Sequence, residues 1–262
     1  MRLWMIGCGA MGGAMLRRWI DDGTLSPGDV TVINRGDRDL PAGVAQRREA
    51  PDGPLPDALM LAMKPQQLDE VAQVHAARLS GVPLLISILA GVEEAAIARR
   101  FAAGAVVRAM PNLPVALGEG VVALDSVSAD EAIRAAVAAL MAPLGLVEWV
   151  PADRFDLVTA LAGSGPAFLY RFIDALAAAG AAQGLDADQA ARLALATVAG
   201  AARLAQSVDV SPGALADRVA SPGGSTRKGL DVLDRADGLR ALLEETLAAS
   251  ARRNAELAAA AR

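Results

Sequence analysis

Leu3-Trp4-Met5-Ile6-Gly7-Cys8-Gly9-Ala10-Met11-Gly12-Gly13 decides how the first half of this chain folds, and a helical pattern follows it through Met15, Leu16, Trp19 and Ile20. A short apolar run, then Gly-x-Gly-x-x-Gly, then a helix gives the order strand, tight turn, helix. The glycines permit the turn, the approach of a pyrophosphate to the backbone, and close packing of helix on strand. The stretch from Gly7 to Gly12 is therefore the first candidate ligand contact.

Working outward, Val30-Thr31-Val32-Ile33 reads as the second strand. A site for NAD places an Asp or Glu at the end of this strand, to hold the ribose hydroxyls. Here the strand ends in Asn34-Arg35, with Arg38 close behind. A cation at that place suits the 2′-phosphate of NADP; the other reading is an Arg35 that only faces solvent. Residues 36–56 are rich in Pro, Gly, Arg and Asp and give no full helix.

Strands are expected at Ala58-Leu59-Met60-Leu61-Ala62, at Leu84-Leu85-Ile86-Ser87-Ile88 and at Ala105-Val106-Val107-Arg108-Ala109. Met63-Lys64-Pro65 leads into a helix to about Leu79, and Ala90-Gly91 into another over residues 93–101. Strands alternating with helices argue for a parallel, doubly wound sheet. Its ligand lies past the carboxyl ends of the strands, where the glycine turn, Lys64 and Asn112 gather. Lys64 either lines that cleft or starts its helix facing solvent. Val121-Val122-Ala123-Leu124 reads as an added edge strand. Ser128-x-x-Glu131 reads as a capping box, and residues 146–150 as the last strand. Pro151 closes a first domain of residues 1–151.

No strand pattern remains in residues 152–262. Residues 154–183 read as helix, interrupted at Gly163-Ser164-Gly165-Pro166. Ser164 faces a site there or only relieves the kink. Asp186-x-x-Gln189 caps a long alanine-rich helix, and Ser211-Pro212 has the form of a cap followed by a first helical residue. Next come Ser221-Pro222-Gly223-Gly224-Ser225-Thr226, a turn into another helix. The first N–H groups of a helix lack intrahelical partners, so this turn is either a plain cap or a small anion site. A final helix starts near Leu239. The whole is an α/β chain: a Rossmann-like, doubly wound, mostly parallel sheet, followed by an all-α C-terminal domain.

Composition narrows the function. The net charge of −5, without any basic tract, speaks against nucleic acid or an anionic membrane as main partner. Residues 82–92, the longest apolar run, are too short to span a bilayer. Met1 to Met15 has no convincing cleavage site for a signal peptide. A single cysteine, Cys8, excludes an internal disulfide and fits a reducing cytoplasm. The single histidine, His75, falls in a helix expected at the surface, so a His-rich metal site or a Ser-His-Asp triad is not expected. Small-residue helices form a weak core alone, which suggests pairing with a second subunit.

Together these motifs resemble the pyrroline-5-carboxylate reductase family, NADPH-dependent enzymes that complete proline synthesis. The resemblance rests on the glycine turn, Met63-Lys64-Pro65, Ser87-Ile88-Leu89-Ala90-Gly91-Val92, and Arg108-Ala109-Met110-Pro111-Asn112-Leu113-Pro114. It continues in Ala162-Gly163-Ser164-Gly165-Pro166-Ala167-Phe168 and in Pro212-Gly213-Ala214-Leu215 running on to the Ser221 turn, which is its most specific element. It implies NADPH, with NADH a weaker alternative, held by Gly7, Gly9, Ala10, Met11, Gly12, Asn34, Arg35, Ala62, Met63, Lys64, Pro65 and Asn112. It implies a substrate carboxylate held around Ser221, Gly223, Gly224, Ser225 and Thr226, with Ser164 nearby and the Thr226 hydroxyl on the ring nitrogen. It also implies a homodimer or higher homo-oligomer assembled through the C-terminal helices, and no metal.

The family commonly has Tyr where Phe168 stands and often Thr where Leu113 stands, and the segment before Ala58 is shortened here. Arg218 and Asp209 stand where some members carry Asn and Glu. A related hydroxyacid dehydrogenase would need a catalytic lysine in the first long helix of the second domain, and the chain's two lysines, Lys64 and Lys228, lie elsewhere. A reductase of other cyclic imines and a non-catalytic NADPH sensor remain as alternatives, separated by NADPH consumption with an imine substrate.

Overall fold

The computed structural model describes residues 1–260. It divides into two compact units, Met1–Ser164 with residues 250–260, and Gly165–Ala249. The first unit is built on β1 (Leu3–Ile6), β2 (Val30–Ile33), β3 (Ala45–Arg47), β4 (Ala58–Leu61), β5 (Val82–Ser87), β6 (Ala103–Pro111), β7 (Gly120–Asp125) and β8 (Gly145–Trp149). They form one sheet in the order β3-β2-β1-β4-β5-β6-β7-β8, in which only the pairing of β6 with β7 is antiparallel. The chain lays β2 and β3 on one side of β1, then crosses to β4 on the other. That reversal at β1 opens a crevice at the strand ends.

Alternation along the strands divides the core in two. Leu3 and Met5 of β1 face a cluster with Met15, Leu16 and Trp19 of α1 (Ala10–Asp21) and with Val137, Leu140 and Met141 of α4 (Glu131–Met141). Trp4 and Ile6 face the opposite cluster, with Leu68 and Val71 of α2 (Leu68–His75) and Ala96 and Ile97 of α3 (Glu94–Ala98). Every residue of β1 and β4 is buried, as expected of parallel strands covered on both faces. The Trp19 indole reconciles burial with polarity by donating to the Leu140 carbonyl at 2.7 Å.

The sheet departs from the sequence reading at its far edge. β7 is not the edge strand, because β8 pairs parallel beyond it. The helix α4 is capped by Asp130, whose carboxylate accepts from the Ile133 amide at 2.8 Å. Ser128 has other partners: its hydroxyl donates to Glu94 at 2.6 Å and accepts from the Val106 amide at 2.9 Å. A carboxylate distant in sequence thus takes the hydroxyl that local spacing assigns to a cap.

After β8 come α5 (Phe155–Val158) and a π-helical turn, Thr159–Gly163. The second unit comprises α6 (Gly165–Ala182), α7 (Ala187–Ser207), α8 (Pro212–Arg218), α9 (Ser225–Leu233) and the start of α10 (Leu239–Ala260). Asp186 caps α7 by accepting from Gln189 at 3.0 Å, and Ser211 caps α8 by accepting from Ala214 at 3.3 Å. Few of these helical residues are buried, whereas Leu169, Tyr170, Phe172, Leu193 and Leu195 are exposed. Among the described residues, no helix is long and apolar enough to cross a membrane.

Candidate active site

The crevice beyond β1 holds a cleft of about 500 Å³. Gly7 turns the chain out of β1 with φ +87°, and a Cβ there would lie 2.7 Å from the Ala62 carbonyl oxygen and the Met63 amide. The ends of β1 and β4 are thus pressed together, which only glycine allows. Gly12 lets α1 approach β4, since its Cβ would meet that of Ala62 at 3.1 Å. Around Gly9 the space is open, with no atom within 4 Å of a Cβ.

Gly9 also precedes α1, which has neither a side-chain cap nor an acidic residue in its first turn. The amides of Ala10, Met11 and Gly12 have no intrahelical partners and meet the positive end of the helix dipole. The residues here fit a dinucleotide. An open glycine fronts three free amides, a setting that suits a pyrophosphate. At the end of β2, the buried Asn34 Nδ2 has no hydrogen-bond partner, a donor matched to a ligand oxygen.

Gly7, Gly9, Ala10, Met11, Gly12, Asn34, Arg35, Ala62, Met63 and Lys64 all line this cleft. Pro65 begins the short 3₁₀ turn just beyond it, Pro65–Gln67. Asn112 does not line it. Its amide is spent as a clamp, accepting from Val121 at 2.9 Å and donating to the Ala162 carbonyl at 3.0 Å. That clamp ties the end of β6 to β7 and to the π turn. Ser164 ends the π turn, and its hydroxyl lies 3.5 Å from that of Ser250 on α10.

The cleft also gathers residues that the sequence reading leaves out. Val71 and His75 line it from α2, at the four-residue spacing of one helix face, and Gln67 lines it from the 3₁₀ turn that leads into that helix. His75 is not a surface residue: it is 9% exposed. Burial holds its pKa below the ordinary value against the pull of Glu49. Arg48, from the end of β3, lines the same cleft as Arg35 and Arg38; the Arg47-Arg48 pair was its sequence signal. Burial raises the pKa of the Cys8 thiol, partly offset by Arg17 and Arg38, so the thiol is a neutral wall of the cleft.

Behind the sheet ends, Arg108 pairs with Asp125 at 3.2 Å, both side chains being buried. The guanidinium carbon also sits 4.0 Å from the Phe155 ring centroid, so β6, β7 and α5 meet at one cation. Burial raises the Asp125 pKa, and Arg108 restrains the rise.

In the second unit, Ser221, Gly223, Gly224, Ser225 and Thr226 come together at the start of α9. Gly223 takes φ +74° with open space around its Cβ position, and the Gly224 amide closes the turn on the Ser221 carbonyl at 2.9 Å. Gly224 precedes the helix, again with no side-chain cap and no acid in the first turn. The amides of Ser225, Thr226 and Arg227 are free of intrahelical bonds, beside two exposed hydroxyls. Arg227 fixes this helix start. It bonds Asp217 of α8 at 3.2 Å and Asp231 and Asp234 farther along the chain at 3.0 and 2.8 Å.

A mostly parallel sheet whose switch point holds a glycine turn, an uncapped helix start and a cluster of arginines defines a dinucleotide-binding protein of the Rossmann type. Residues 2–91 match the family model described as NADP oxidoreductase, coenzyme F420-dependent. Residues 152–257 match the one described as pyrroline-5-carboxylate reductase dimerisation. The pyrroline-5-carboxylate reductase of Synechocystis sp. is 38% identical over 265 residues, covering 98% of each chain. The solved structure of a pyrroline-5-carboxylate reductase from Coxiella burnetii superposes with a TM-score of 0.87 at 31% identity, covering 98% of each chain. That of the Plasmodium falciparum pyrroline carboxylate reductase with NADP bound shares the fold, with a TM-score of 0.82 at 23% identity and 98% of each chain covered. The chain belongs to the pyrroline-5-carboxylate reductase family.

Proposed function

We propose that this chain reduces 1-pyrroline-5-carboxylate to L-proline, with NADPH as the hydride donor. The observation that carries this reading is the uncapped start of α9, in a chain 38% identical to a reductase of that name along its length. Bound NADPH supplies the hydride that the C=N carbon accepts, while the ring nitrogen ends as the protonated amine. The amides of Ala10, Met11 and Gly12 hold the pyrophosphate, and Asn34 and Arg35 meet the adenosine ribose and its 2′-phosphate. Ala62, Met63, Lys64 and Pro65 flank the nucleotide, with Asn112 securing the loop beyond β6.

The amides around Gly223, Gly224, Ser225 and Thr226 hold the substrate carboxylate, with Ser221 shaping the turn and Ser164 contributing a hydroxyl. Thr226 hydrogen-bonds the ring nitrogen. Protonation of that nitrogen makes the adjacent carbon electrophilic, so orientation and one hydrogen-bond partner suffice. Residues 1–151 form the cofactor domain and residues 152–262 the substrate and pairing domain. The exposed apolar side chains of α6 and α7 support a homo-oligomer built through these helices. The enzyme works in the cytoplasm.

The test is NADPH absorbance decay with purified protein and 1-pyrroline-5-carboxylate. Controls are pyrroline-2-carboxylate, 3-hydroxyisobutyrate run oxidatively with NADP, and no substrate. Oxidation confined to the first compound is the expected result. Bound NADPH that is never oxidised would reject the reading in favour of another imine substrate or a sensor.

A further inference from the structure

Three arginines, Arg35, Arg38 and Arg48, line the cofactor cleft beyond β2 and β3, yet they are not equally free to meet an anion. Arg35 forms an ion pair with Glu70, which stands in the first turn of α2. Arg48 is paired with Asp37 at 3.6 Å and donates a hydrogen bond to the Arg35 carbonyl. Of these three, only Arg38 has a guanidinium that makes no ion pair with a described residue; its backbone amide is held by Gln46 at 3.0 Å. Glu70 is exposed beside the face of α2 that carries Val71 and His75 to the cleft, and it reaches the cleft's edge through Arg35. The residue that follows β2, Asn34, is not an acid, and the acid that pairs with the neighbouring Arg35 comes instead from the facing helix.

A 2′-phosphate has to draw Arg35 away from that carboxylate, and it then carries its own negative charge close to Glu70. A 2′-hydroxyl demands neither: it leaves the pair intact and can donate to the carboxylate. We propose that Glu70 is a specificity-determining residue that competes with the 2′-phosphate of NADPH for Arg35, lowering the preference for NADPH over NADH. This rests on the reading of the cleft as an NADP(H) site, and it concerns affinity rather than hydride transfer. The pair is half-exposed on both sides, with 65% and 55% of the side-chain surfaces accessible, so the competition is modest.

Calorimetric titration of the nucleotide-free full-length protein with NADPH and with NADH tests this in the wild type, Glu70→Gln, Arg35→Ala and the double variant. Glu70→Gln is expected to tighten NADPH by about three- to fivefold and NADH by less than about twofold. In the Arg35→Ala background, the same substitution is expected to bring no gain. Unchanged NADPH affinity, equal tightening of both nucleotides, or a gain that survives the loss of Arg35 would each overturn the proposal while leaving the cofactor reading in place. Absence of NADPH binding in the wild type would overturn the cofactor reading itself and the proposal with it.

Discussion

The starts of α1 and α9 are built alike and embedded differently. Each follows a glycine, lacks a side-chain cap and has no acid in its first turn. At α1 the preceding turn is wedged into the sheet, with Gly7 against Ala62 and Met63 and with Gly12, Gly13 and Met15 buried behind it. At α9 the turn is exposed, Gly223 has open space around it, and the helix is fixed by the ion pairs of Arg227. The first is a backbone site made rigid by packing, suited to a phosphate of a cofactor that many enzymes share. The second adds the hydroxyls of Ser225 and Thr226, which on the proposed function give directionality towards one substrate. On that proposal, the same helix physics serves binding in one case and selection in the other.

The sharpest way to break this comparison is to add a side chain to each turn. Gly7→Val forces Cβ onto the Ala62 and Met63 backbone at a positive φ, so a loss of stability on the order of 3 kcal/mol is expected. Denaturant melts should show that loss, and calorimetry should show no NADPH binding. A variant as stable as the wild type would mean that the two strand ends are not held together as described. Thr226→Ala should lower turnover by about tenfold or more while NADPH binding persists; unchanged turnover removes Thr226 from the mechanism. Gly223→Ala meets only backbone strain and should cost about 1 kcal/mol. A cost matching that of Gly7→Val would erase the contrast between the two turns.

The smallest expected effect concerns pH. The buried His75 has a lowered pKa in the folded protein, so the unfolded chain binds more protons below the ordinary histidine value of about 6.5. Stability from neutral His75 is therefore present above that value and declines as the pH falls towards the folded pKa. His75→Gln should flatten the dependence of the urea midpoint between about pH 7 and 5. An equally steep profile in the variant would place the proton uptake elsewhere.

Much of the fold is legible in local sequence because its determinants are local. The glycines after β1, the caps at Asp186 and Ser211, and the apolar runs of β4 and β5 each act within a few residues of their position. What resists such reading is long-range. Ser128 follows Glu94 across 34 residues, and β3 is a three-residue edge strand held by its pairing with β2. In the candidate site, the residues of each turn can be grouped from spacing alone. The burial of His75, the clamp role of Asn112 and the Arg35–Glu70 pair cannot, because each depends on an element brought near only by the crossover at β1 or by the antiparallel return of β7.

The central claim is that the start of α9 reads a carboxylate. Its most direct measurement compares kcat/KM for 1-pyrroline-5-carboxylate with that for 1-pyrroline, identical but for the carboxylate, under saturating NADPH. Loss of charge-assisted hydrogen bonds to several amides predicts a preference of at least about a hundredfold for the carboxylate. Equal values for the two substrates would contradict the account.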